Sequence, residues 1–164
     1  MILAIDGRAA AGKTTLAKFF AACAAARIIH TDDFFLPPQK RSKKIAGHID
    51  LDGLKKVLQN LSDGKYAAYK PYDCGRGKYK KEIKIKPEDL IIAEGCYSLH
   101  PKLAKYYNQK IFVDISPSVQ KKRILARGGE KSLQAFKKIW IPEEEKYFRR
   151  YAPQKRCDIT LEIK

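Results

Sequence analysis

Apolar residues in this chain gather into runs of two different periods, and their alternation predicts the architecture. Residues 1–5 (MILAI), 27–30 (RIIH), 89–95 (DLIIAEG), 110–115 (KIFVDI) and 158–163 (DITLEI) have the length of strands, and their nearly unbroken hydrophobicity suits strands covered on both faces. Between them, 14–25 is rich in Ala and Leu at helical spacing, and 51–61 sets Leu51, Leu54, Leu58 and Leu61 on one helix face. Residues 118–127 and 132–150 read as two further helices joined at a Gly128-Gly129 hinge. Residues 66–72 and 79–86, separated by the turn-forming DCGRGK, read as a β-hairpin. Strands alternating with helices predict an α/β fold with a five-stranded, parallel, doubly wound sheet.

Length and composition narrow the classes. The 164 residues, 45% of them hydrophobic, suffice for one domain with a substantial core, and no linker, repeat or low-complexity tract divides them. The first apolar run stops at Asp6, too soon for a secretory leader, and no later run is long enough to span a membrane, so the expectation is a cytoplasmic chain. Cys23, Cys74, Cys96 and Cys157 are scattered, without a C-x-x-C pair or a His at ligand spacing, which argues for reduced thiols rather than a zinc site or a disulfide framework. The net charge of +16 concentrates in KRSKK (40–44) and KYKKEIKIK (78–86), which could follow a nucleic-acid backbone. The excess is mostly Lys, however, and KEIKIK alternates like the outer face of a strand. Solvated lysines, on a surface that also suits polyanionic small substrates, are the default, and nucleic acid is not the expected partner.

The first strand leads into the segment with the clearest chemistry. Residues 7–14 spell G-x-x-x-x-G-K-T between a strand and a helical pattern. Gly7 and Gly12 let the loop bend into a hollow of N–H groups at the positive end of the next helix, an anion site. Lys13 would reach the β- and γ-phosphates, and Thr14 would offer its hydroxyl to Mg²⁺. Phosphoryl transfer also needs a group to orient or deprotonate the acceptor and cations to gather charge. Asp32, in HTDDFFLPP at the end of the second strand, is the candidate base or metal-shell ligand, with a helix cap or turn as its structural alternative. Asp33 is the second choice. Glu94 ends the buried run LIIA, where an unpaired carboxylate would be costly, and so reads as a metal-orienting acid. Arg123 and Arg127, four apart on one helix face before the glycine pair, could clamp phosphates or simply be solvated. His30, His48 and His100 are dispersed, which argues against a covalent triad. Of Trp140, Tyr147 and Phe148, at least two are expected in the core.

The segments ILAIDGRAAAGKTT, HTDDFFLPP, HIDLDGL, YKPYDC, IIAEGCYSLHP, IFVDISPSVQKKRILAR and WIPEEEKYF together resemble the uridine kinase family of P-loop nucleoside kinases, and most nearly its short bacterial uridine kinase-like members. The likeness runs through nearly the whole chain. It implies a P-loop kinase fold as a single domain over 1–164, with a hairpin insertion at about 66–86 and a short helical lid at about 118–135. Gly7, Arg8, Ala9, Ala10, Ala11, Gly12, Lys13, Thr14 and Thr15 would hold ATP or GTP, and Thr14, Asp32 and Glu94 would surround Mg²⁺. Asp32 maps to the base acting on a ribose 5′-hydroxyl, Asp50 to the residue holding the ribose hydroxyls, Tyr72 to the base pocket, and Arg123 and Arg127 to the lid arginines. Asp33 stays beside Asp32 as a substrate contact.

Two segments depart from the family. YDCGRGK supplies Gly, Arg and Lys where the family carries a His that reads the pyrimidine edge, and Gly128 stands where an Asp is common. Losing a polar reader can change a substrate rather than merely weaken it. The expected activity is transfer of the γ-phosphate to a primary hydroxyl of a nucleoside, uridine or cytidine first. The alternatives are a nicotinamide riboside- or pantothenate-like alcohol, and a nucleotide-dependent RNA-binding protein. A homo-oligomer is left open.

Overall fold

A computed structural model describes residues 1–87 and 90–163. Strands β1 (Ile2–Gly7), β2 (Arg27–His30), β7 (Ile91–Glu94), β8 (Gln109–Ile115) and β9 (Ile159–Ile163) form one parallel sheet in the order β2-β7-β1-β8-β9. All five strands read from the apolar runs are present. Of the run expected at 89–95, Asp89 lies outside the described residues and the strand starts at Ile91.

Side chains along a strand alternate between faces, and here both faces are buried. Ile2, Ala4, Ile29, Ala93 and Phe112 pack on one side with helix α2 (Leu51–Ser62) and helix α4 (Ile141–Tyr151). Leu3, Ile5, Ile92, Ile111 and Val113 pack on the other with helix α1 (Lys13–Ala24) and the start of helix α3 (Pro117–Ala135). The stripe predicted on α2 is the buried one: Leu54 and Leu58 are fully enclosed, each worth roughly 1.5–3 kcal/mol of transfer free energy. Tyr147 and Phe148 of α4 are core residues and Trp140 is not.

The expected hairpin divides into two short antiparallel ladders. Strand β3 (Ala67–Tyr69) pairs with β6 (Ile83–Ile85), and β4 (Tyr72–Asp73) pairs with β5 (Lys78–Tyr79). Pro71 has no N–H to extend the first ladder, while its carbonyl accepts from the Lys80 amide at 2.8 Å. Asp73 shapes the turn that follows β4, its Oδ1 accepting from the Gly75 and Arg76 amides, both at 3.0 Å.

The helical span α3, Pro117–Ala135, is two helices meeting at a kink at Gly129 (φ 70°, ψ −177°), as the Gly128-Gly129 hinge predicts. A second irregularity follows, a π-helical turn at Phe136–Trp140 just before Pro142. Pro142 cannot donate to the carbonyl four residues back, so the turn widens there. Among the described residues no helix is long and apolar enough to cross a membrane.

Candidate active site

A cavity of about 670 Å³ opens at the carboxyl ends of β1, β2 and β7, where ligands bind in open α/β sheets. Its floor is the loop between β1 and α1. Gly7 leaves β1 at φ 142°, and a Cβ there would lie 2.0 Å from the Val113 carbonyl oxygen, so only glycine fits. Gly12 turns the chain at φ 99° into α1, whose N-terminus carries no side-chain cap. Ala9, Ala10, Gly12, Lys13, Thr14 and Thr15 line the cavity as expected of a phosphate cradle. Two cradle residues behave differently: Ala11 is fully enclosed, and the Arg8 side chain turns to Asp114 (2.9 Å) and Glu145. The Lys13 ammonium donates to the carbonyls of Gly7 (3.0 Å) and Arg8 (2.7 Å), folded back on its own loop.

The acids come from the ends of β7 and, one strand further out, β2. Asp32 and Asp33 ride a short 3₁₀ turn, Thr31–Phe34, directly after β2. Asp32 lines the cavity, and burial raises its pKa against the opposing pull of the Lys13 charge. Asp33 accepts from the Tyr69 hydroxyl at 2.9 Å and borders a second cavity of about 360 Å³ as well. In the parallel register His30 stands opposite Glu94, which places their side chains on the same face. Glu94 Oε1 lies 2.5 Å from His30 Nδ1 and accepts from the Thr14 hydroxyl at 3.1 Å. That hydrogen bond raises the His30 pKa despite partial burial. His30 escaped the sequence reading, although its place at a strand end was visible.

The rest of the wall is assembled from distant segments. Tyr72, Asp73 and Cys74 come from the β4–β5 ribbon, and Phe35, His48, Tyr97 and Trp140 form an aromatic cluster. Arg123 reaches the loop, its Nη1 donating to the Ala10 carbonyl at 3.4 Å, and the Arg127 guanidinium lies 6.0 Å from the centre of the Phe136 ring. Asp50 is not brought to this wall. It caps α2, accepting from the Gly53 amide at 2.9 Å, and borders the smaller cavity instead.

Glu144 is a second cavity residue that sequence reasoning did not single out. Its carboxylate accepts from the Ala9 amide of the loop (3.0 Å) and from Gln120 Nε2 (2.9 Å) while lining the cavity. Burial pushes its pKa up to about 7, against the charges of Lys13 and Arg8 and both hydrogen bonds. A signal existed: Glu144 precedes Tyr147 and Phe148 by three and four residues and so shares their inward helix face.

The site can hold a polyphosphate tail at the loop and a hydroxyl-bearing partner beside Asp32. Among the described residues no group of three His, Cys, Asp or Glu is placed to cage a metal. The Thr14–Glu94 pair nonetheless fits Mg²⁺, which takes few protein oxygens and completes its shell with phosphate and water.

Residues 39–157 match the model of the phosphoribulokinase / uridine kinase family. A uridine kinase of Clostridium botulinum (strain Okra / Type B1) is 33% identical over 142 residues, covering 77% of this chain and 68% of that protein. A structure described as a possible uridine kinase from Bacillus stearothermophilus superposes with a TM-score of 0.74 at 18% identity, covering 98% of this chain and 88% of that one. Shikimate kinase from Bacteroides thetaiotaomicron shares the fold more distantly, with a TM-score of 0.53 at 17% identity over 98% of this chain and 84% of its own. With a nucleotide loop at the end of β1, acids at the ends of β7 and β2 and these relatives, the chain belongs to the phosphoribulokinase / uridine kinase family and is a small-molecule kinase of the P-loop fold.

Proposed function

We propose that the protein transfers the γ-phosphate of ATP, or GTP, to the primary hydroxyl of a nucleoside in an Mg²⁺-dependent reaction, with uridine and cytidine the first acceptors. The observation that carries this reading is one cavity lined at once by Lys13 and Thr14 of the loop, by Asp32, and by Tyr72 among aromatic rings. Such a wall offers a phosphate cradle, a base and a surface for a flat ring. The relatives named uridine kinase support a nucleoside as the acceptor.

In this reading the loop amides and the α1 N-terminus bind the β- and γ-phosphates, and Lys13 exchanges its two carbonyl contacts for phosphate oxygens. Asp32 accepts the proton of the acceptor hydroxyl as that oxygen bonds to the γ-phosphorus and the bond to the diphosphate leaving group breaks. Burial raises the proton affinity of Asp32 and suits it to that task. Arg123 and Arg127 gather the charge that spreads over the transferring group. Mg²⁺, held at Thr14 and Glu94 with Asp32 nearby, would neutralise the phosphate oxygens. Asp33, tied to Tyr69, supports the acceptor side.

An acceptor panel tests the reading. Purified protein with ATP and Mg²⁺ should release ADP only when a primary alcohol is added, fastest with uridine or cytidine, while nicotinamide riboside and pantothenate serve as competing candidates. ADP release that responds to polynucleotide, and collapses steeply with salt, would instead favour the RNA-binding alternative.

A further inference from the structure

His48 lines the active-site cavity and is only 9% exposed. Its imidazole packs against three rings, with centroids 5.4 Å from Phe35, 5.2 Å from Tyr97 and 5.3 Å from Trp140, the last two edge-on. All three also line the cavity. The backbone holds the residue in place independently of its side chain, since the His48 carbonyl accepts from the Leu36 amide at 2.8 Å. Among the described residues neither ring nitrogen has a hydrogen-bond partner.

Burial and the positive charge of Arg41 hold the His48 pKa down, to about 4, with Glu143 opposing. At neutral pH the ring therefore presents one N–H donor and one acceptor nitrogen. Neither nitrogen is among the buried atoms left without a partner, so both are open to the cavity and free to meet a ligand there. The Arg41 guanidinium lies 5.8 Å from the centre of the adjoining Phe35 ring and places positive charge near the imidazole.

We infer that His48 is a specificity-determining residue whose unprotonated ring nitrogen accepts a hydrogen bond from an N–H on the edge of an uncharged planar heterocycle of the acceptor, beside Phe35, Tyr97 and Trp140. The inference rests on the nucleoside-kinase reading and adds to it which side chain selects the base. Asp32 and the loop act on the hydroxyl and the phosphates. His48 touches only the part of the acceptor that does not react, so its loss falls on acceptor KM rather than on kcat or the ATP KM.

The test compares wild type, His48→Phe and His48→Asn with uridine and N3-methyluridine, reading KM and kcat for each nucleoside and for ATP. Wild type should prefer uridine by roughly tenfold or more in kcat/KM, the size expected for one hydrogen bond lost together with a methyl clash. His48→Phe should raise the uridine KM by roughly tenfold with the ATP KM unchanged and erase the preference, and His48→Asn should restore part of it. The uridine to N3-methyluridine ratio within one preparation does not depend on its folded fraction, so a less stable variant remains as informative as a stable one. A ratio near one in wild type, or one that both variants leave unchanged, overturns the inference alone. Wild type that phosphorylates no nucleoside overturns the nucleoside-kinase reading and this inference with it.

Discussion

Replacing Glu144 by Gln should stabilise the protein at pH 8 and leave it nearly unchanged at pH 5. Glu144 is 3% exposed, and burial lifts its pKa from an ordinary 4.5 to about 7. The folded state thus holds this proton more tightly than the unfolded chain does. Stability from Glu144 is fully present below pH 4.5 and is lost as pH rises through about 7. At 1.36 kcal/mol per pH unit, the gap between 4.5 and about 7 corresponds to about 3 kcal/mol.

Gln removes that titration while keeping an oxygen for the Ala9 amide. Its new amide group faces Gln120, whose buried Oε1 has no partner, and a turned Gln120 side chain supplies the missing acceptor. In a chain of this size 1 kcal/mol moves Tm by about 2–4 °C, so the Tm difference between Glu144→Gln and wild type should grow by up to about 10 °C between pH 5 and pH 8. Thermal or urea melts of both proteins in one salt concentration measure it. Every other titrating group is common to the two, so only Glu144 enters the comparison. Parallel stability curves across this range would show that the carboxyl does not titrate there and would refute the argument.

Three further outcomes follow from the site. Asp32→Asn should lower transfer by at least about a thousandfold while nucleotide binding is largely kept, whereas Lys13→Ala should lose both; turnover near normal in the first would remove Asp32 from the base role. Tyr72→Ala should raise the acceptor KM more than the ATP KM, and equal changes would argue against a base pocket at the β4–β5 ribbon. Gly7→Ala would force a Cβ to 2.0 Å from the Val113 oxygen at φ 142°, and should cost more than about 4 kcal/mol or prevent folding, as a soluble-yield and melting comparison would reveal.

What could be read from the sequence was whatever depends on neighbours along the chain. The five strands are local apolar runs, the α2 stripe is a local period, and the phosphate loop is a local motif, so each stands where its pattern put it. The split of the hairpin at Pro71 was equally local, because a missing N–H is a property of one residue. Asp50 shows how a local signal can compete with a family expectation. An Asp immediately before an amphipathic run is a good helix cap, and that is its place here.

Properties that depend on distant partners were hidden. His30 meets Glu94 through a strand register spanning 64 residues, and Glu144 meets Ala9 across 135. His48 becomes enclosed only when residues 35, 97 and 140 converge on it. No spacing rule links such positions, because the sheet order, rather than chain proximity, brings them together.

The buried Asp6 carboxylate receives hydrogen bonds from the Gly7 amide (2.6 Å), the Leu99 amide (2.8 Å) and the Tyr147 hydroxyl (2.7 Å). Three stretches that are far apart in the chain are thereby knotted at the root of the nucleotide loop, and α4 is one of them. α4, which follows the helical lid proposed at about 118–135, is thereby anchored to β1. A lid that closes over the site would then bend upstream of that anchor, at Gly129 or at the widened turn before Pro142.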